Sequence, residues 1–191
     1  MRLIPNLSLL TLLLIPATAF AHPGHDVSVI SGFIHPLTGL DHFLAIVASG
    51  LLASRAPTFR QAAVYPLAFV GCMILGVMLT AFAPSSVAVE SMVSVSVVVL
   101  GAALWVEQKV SQNLGAFLVA SFAVFHGFAH GSELGAAHPI TFVVGFSSAT
   151  LALHLAAVAV GQKLTATHGR DALRWVGAAI ATVFGVATLV A

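Results

Sequence analysis

The sequence predicts an all-α integral membrane protein, with six spanning helices behind a cleaved signal peptide. Three observations predict it. Of the 191 residues, 59% are hydrophobic and 7% charged, with a mean hydropathy of +1.06, whereas a soluble domain carries roughly 25% charged residues. Apolar runs long enough to cross the hydrocarbon, about 20 residues as a helix, recur at 28–53, 62–83, 87–106, 114–132, 139–161 and 173–190. Every lysine and arginine beyond Arg2 falls in, or at the edge of, alternate loops between those runs.

The N-terminal segment reads as an export signal. Arg2 supplies a positive start, "LSLLTLLLIPATAF" an apolar core, and Ala19-Phe20-Ala21 a small-x-small cleavage site. Residues 1–21 are therefore assigned to the signal peptide and 22–191 to a single six-helix transmembrane domain. The six runs are separated by "SRAPTFR", "APSS", "EQKVSQN", "LGAAHP" and "QKLTATHGRDALR", which hold the turn residues and the charges. Arg55 and Arg60 lie in the first loop, Lys109 in the third, and Lys163, Arg170 and Arg174 in the fifth. Cytoplasmic loops hold the excess of basic residues. The expected location is thus a bacterial inner membrane, with both ends of the mature chain periplasmic.

Several functions are disfavoured at once. A net charge of +1 with no basic run gives nucleic acid nothing to bind. One cysteine, Cys72, forms no internal disulfide and no thiolate zinc site of the usual kind; beside Met73 it reads as a packed thiol. No G-x-x-x-x-G-K-[ST] and no H-E-x-x-H occurs. The chain is read as a non-enzyme whose surroundings are the lipid bilayer.

Against that background the buried ionisable residues stand out. Inserting an Asp at the centre of a membrane helix costs about 2.5–3.5 kcal/mol, and such groups are functional by default. In "HPLTGLDH", His35 and His42 are seven residues apart, on one face of a regular helix, with Asp41 beside His42. Pro36 and Gly39 lie between them, so the first helix is expected to kink or unwind there. In "FHGFAHGSE", His126, His130 and Glu133 share one face of the fourth helix, and Gly127 and Gly131 permit close helix approach. His154 adds an imidazole on the fifth. At about 1.5 Å per residue, Glu133 lies nearest the outer surface, His130 and His35 just below it, and His126, Asp41 and His42 near mid-membrane. His154 lies deeper. The bland alternatives are an interhelical hydrogen bond for His154, an interfacial position for Glu90 and a solvated loop for His168.

Imidazole nitrogen with carboxylate oxygen, and no thiolate, suits a borderline divalent cation such as Ni²⁺, Co²⁺, Zn²⁺ or Cu²⁺. Several modest sites in series would let an ion both enter and leave. Outside the helices, His22, His25, Asp26 and His138 are expected entry ligands. Cleavage after Ala21 would give His22 a free α-amine beside its imidazole.

The two motifs resemble H-P-x-x-G-x-D-H and F-H-G-x-A-H-G-x-E of the HupE/UreJ family of hydrogenase and urease accessory proteins. The resemblance covers the signal peptide, the histidine-rich "HPGHD", the six helices and the histidine on the fifth. It implies a nickel, or in some members cobalt, permease in which His35, Asp41, His42, His126, His130 and Glu133 are the transport residues. The ion is then a transported substrate, with no permanently bound cofactor, and a cytoplasmic metallochaperone is the receiving partner. The H-x5-D-H spacing here differs from the H-x4-D-H of the larger nickel/cobalt transporter family, which this chain is similar to in chemistry only. Alternatives from other classes are a di-haem membrane cytochrome, an intramembrane hydrolase using Ser147 or Ser148 with His154, and an accessory protein that binds metal without transporting it. Because the first helix runs inward and the fourth outward, two inverted three-helix repeats are expected, with the ion path between helices one and four.

Overall fold

A computed structural model of the protein describes residues 28–106, 109–134 and 140–190. The signal segment and His22, His25, Asp26 and His138 lie outside the described residues. All regular structure among the described residues is helical: α1 (Val29–Thr38), α2 (Leu40–Ala53), α3 (Phe59–Ala62), α4 (Val64–Met78), α5 (Ser86–Trp105), α6 (Gln112–Leu134), α7 (Ile140–His168) and α8 (Arg170–Val190). Five spans are long and apolar enough to cross a membrane: α3 with α4 as Phe59–Met78, then α5, α6, α7 and α8. The bent pair α1–α2 makes a sixth if taken as one span. This is a multi-pass helical membrane protein.

The helix starts follow from local chemistry. Ser28 accepts a hydrogen bond from the Ser31 amide at 3.2 Å, Thr58 from Gln61 at 3.3 Å, Ser85 from Ala88 at 3.4 Å and Ser111 from Leu114 at 3.2 Å. Each satisfies one of the amides a helix start leaves unpaired. Three of these caps lie in breaks predicted from the sequence.

The first span breaks where Pro36 and Gly39 predicted. Pro36 lacks the amide that would bond back to the Gly32 carbonyl. Gly39 then adopts an extended backbone (φ −91°, ψ 112°), and α2 restarts at an angle of 82° to α1. With ten and fourteen residues, each half spans only about 15–21 Å, less than the roughly 30 Å of the hydrocarbon.

The fifth loop differs from expectation. Most of "QKLTATHGRDALR" is helical, α7 running on to His168 and α8 beginning at Arg170. Gln, Lys, Leu and Ala are good helix formers, and the only break is Gly169, whose φ of 75° ends α7 in the left-handed region. His168 thus sits in a last helical turn, its Nδ1 2.6 Å from the Thr167 hydroxyl.

Packing brings the polar faces together. The most extensive pairings are α4 with α6, α5 with α8, and α1 and α2 with α7. Glycines allow these close approaches: a Cβ on Gly127 would collide with the Met73 carbonyl, and one on Gly76 with that of Val124. Gly32 and Gly145 do the same for α1 against α7, meeting the carbonyls of Phe142 and Val29. The basic loops share one end of the bundle. Arg55 donates to the Val110 carbonyl at 2.9 Å, next to Lys109, and Arg174 donates to that of Trp105 at 3.3 Å.

Candidate metal site

The two motif segments meet, and they meet through their histidines. His35 on α1 and His130 on α6 pack edge to face, ring centroids 4.9 Å apart, and His42 on α2 lies 4.6 Å from the rings of both His126 and His130.

The outermost group is a triad. His35 Nε2 lies 3.2 Å from His130 Nδ1 and 3.2 Å from Glu133 Oε2, and His130 Nδ1 lies 3.5 Å from the same oxygen. Three ligands about 2.1 Å from a common ion, at tetrahedral or octahedral angles, stand roughly 3.0–3.4 Å from one another. Two of the triad's three separations fall in that range, and the third, at 3.5 Å, lies just beyond it. The triad combines two imidazoles with one carboxylate, a donor set for a borderline dication. The Glu133 and His35 side chains are 44% and 31% exposed, against 2% for His130, so the triad opens to the end of the bundle opposite the basic loops. Phe142 and Phe146 of α7 form its apolar wall, 5.4 Å from His35 and 4.8 Å from His130 between centroids.

Behind the triad lies a second tier. Asp41 Oδ1 accepts from the His42 amide at 2.7 Å and from His42 Nδ1 at 2.8 Å. Gly39 leaves room for this pair, since a Cβ there would stand 3.2 Å from Asp41 Oδ1. Asp41 also sits in the first turn of α2, where the positive end of the helix dipole would otherwise face an incoming cation. His126 is wholly buried, its Nε2 2.9 Å from the Ser96 hydroxyl.

His154 stands apart. Its Nδ1 donates to the Thr150 carbonyl at 2.9 Å, and its Nε2 accepts from the Ser49 hydroxyl at 3.2 Å. Both nitrogens are engaged in a tie between α7 and α2. Phe69 lies between it and the second tier, 4.8 Å from His154 and 5.5 Å from His126 between centroids. Ser147 and Ser148 are not its partners; Ser148 donates to the Val144 carbonyl.

Sequence reasoning missed Ser96, Ser49, Phe69 and the phenylalanine wall. Ser96 is one of several serines among the valines of α5, and nothing in its surroundings there distinguishes it. Phe142 and Phe146 carried a faint signal, being aromatic residues one turn apart.

Fold and site together define a multi-pass helical membrane protein with an imidazole–carboxylate cluster suited to a metal ion. Residues 10–188 match the family model described as HupE / UreJ protein, and the chain belongs to that family. It is similar to Protein HupE of Rhizobium leguminosarum bv. viciae, 36% identical over 185 residues, which cover 95% of each chain. No solved structure matches it.

Proposed function

We propose that this protein is a permease for a divalent transition metal, Ni²⁺ ahead of Co²⁺, carrying the ion from periplasm to cytoplasm across the bacterial inner membrane. The ion then supplies the maturation of a hydrogenase or urease by way of a cytoplasmic metallochaperone. The observation that carries this reading is the convergence of His35 Nε2, His130 Nδ1 and Glu133 Oε2 at ligand spacing. Family membership supports it, as does the inward succession of further histidines. The gathering of Arg55, Lys109 and Arg174 at the other end supports an entry on the periplasmic side and an exit on the cytoplasmic side.

The ion would be captured at the triad, pass the shared ring of His130 to the second tier, and leave beyond Phe69 and His154. Three ligands hold less tightly than a closed cage, which conduction requires. An inverted repeat is part of the proposal: exchanging helices one and four, two and five, three and six maps the most extensive pairings onto one another. The haem alternative is disfavoured by histidine rings in direct contact, which leave no plane for a macrocycle between them.

The direct test is uptake of radiolabelled metal by cells expressing the protein, with competing cations. Glu133→Gln keeps the shape of the triad and removes its charge. It should raise the metal concentration for half-maximal uptake by roughly 10–100-fold while the saturated rate falls far less; equal losses at scarce and abundant metal would place Glu133 outside the capture step.

The mature N-terminus is proposed as a capture segment ahead of the triad. An α-amine titrating near about 7.7–8.0 and an imidazole near about 6.5 must both lose protons to bind metal. Replacing His22 and His25 with Ala should therefore raise the half-saturating concentration, leave the saturated rate nearly unchanged, and weaken the dependence of uptake on pH between about 6 and 8. Loss of the saturated rate would place these residues in the path itself.

A further inference from the structure

Two buried nitrogens of the second tier have no partner among the described residues: His42 Nε2 and His126 Nδ1. Unpartnered polar atoms in an apolar interior are costly, so both need an explanation. They belong to rings in contact, 4.6 Å apart between centroids and nearly perpendicular.

The hydrogen bonds behind each ring decide what these nitrogens carry. Asp41 Oδ1 can only accept, so His42 donates from Nδ1, and in the neutral ring that binds a metal the lone pair is on Nε2. On the other ring, the Ser96 hydroxyl lies 2.6 Å from the Val93 carbonyl and 2.9 Å from His126 Nε2. If the hydroxyl donates to the carbonyl, its oxygen accepts from His126 Nε2 and two hydrogen bonds form. If it donates to His126 instead, one bond forms, two oxygens face each other at 2.6 Å with no proton between, and a buried N–H at Nδ1 is left unpaired. The first arrangement wins by a full hydrogen bond, and it leaves the lone pair of His126 on Nδ1. Each unpartnered atom is then an acceptor, and a cation held between the two touching rings would satisfy both.

We infer that Ser96, with Asp41, presets a second ion position inward of the triad, whose donors are His42 Nε2 and His126 Nδ1 and whose ligand is a borderline divalent metal ion. This inference rests on the permease reading only for the identity of the ion. Ser96 is a positioning residue: it touches His126 and not the metal. Two nitrogen donors make a weaker site than the triad, so an ion held there is poised to move on.

The test is equilibrium binding of Co²⁺ alone to the full chain purified in detergent, compared between variants. Ser96→Ala and His126→Ala should each weaken one and the same equivalent of bound Co²⁺ by at least about tenfold. His35→Ala should lose a different equivalent, and Ser96→Thr, which keeps the hydroxyl, should bind as wild type does. In ¹⁵N spectra of histidine-labelled protein without metal, His126 should carry its proton on Nε2 and lose that preference in Ser96→Ala. Unchanged Co²⁺ binding in Ser96→Ala would overturn the inference. So would a His126 proton on Nδ1 in the wild type, a result that does not depend on any variant folding. Binding in detergent needs no flux, so a protein that binds at both positions and carries none would overturn the permease reading alone.

Discussion

Asp41→Asn is expected to abolish metal uptake while the protein inserts and accumulates normally. The substitution preserves volume and one hydrogen-bond acceptor, so α2 can still start at Leu40. What it removes is the negative charge that meets both the start of α2 and the approaching dication. It also weakens the bond that keeps the His42 proton on Nδ1. Loss of a charge beside a ligating histidine should lower the occupancy of the second tier by roughly 10–100-fold. Uptake measured at equal membrane abundance checks this. Near-normal uptake in Asp41→Asn would mean that the second tier is not on the path.

His130→Ala should have an effect of similar size for a different reason. Among the described residues His130 is the ring that joins the two tiers: its Nδ1 belongs to the triad and its ring packs on His42. Without it the triad keeps His35 and Glu133 only, and the step to the second tier lengthens. Uptake should fall at least about tenfold at scarce and abundant metal alike, in contrast to Glu133→Gln. Because the side chain is fully buried, truncation leaves a cavity of the kind that destabilises by about 2–5 kcal/mol. Thermal melting in detergent, run beside Co²⁺ binding, separates the two effects. A folded His130→Ala protein that binds metal as wild type does would remove His130 from the triad.

Much of the site was legible because its determinants are local. Pro36 and Gly39 break a helix whatever surrounds them, and the break appears as the 82° bend. That the two motif segments belong together was legible from their buried ionisable residues, but the 82° bend between His35 and His42 takes their relative depth out of reach of helix rise. The grouping of the basic loops at one end followed from counting spans. What was not legible depends on packing. A serine in a run of valines carries no mark that it faces His126. Whether His154 is free or tied depended on Ser49, 105 residues away in sequence, and no spacing rule reaches that far. The fifth loop was misread because Gly and charged residues suggested a long turn, whereas a single glycine was enough to separate two helices.

The central claim is that the triad is the mouth of a path and not a resting place for metal. Purified protein reconstituted into liposomes holding a metal-sensitive dye tests it most directly. With Ni²⁺ added outside, the wild type should quench the dye at a rate that saturates with Ni²⁺ concentration. Protein with Asp41→Asn should give only the leak of protein-free liposomes. Saturable Ni²⁺ binding by the reconstituted wild type, with no flux above that leak, would contradict the account and leave a metal-binding accessory protein in its place.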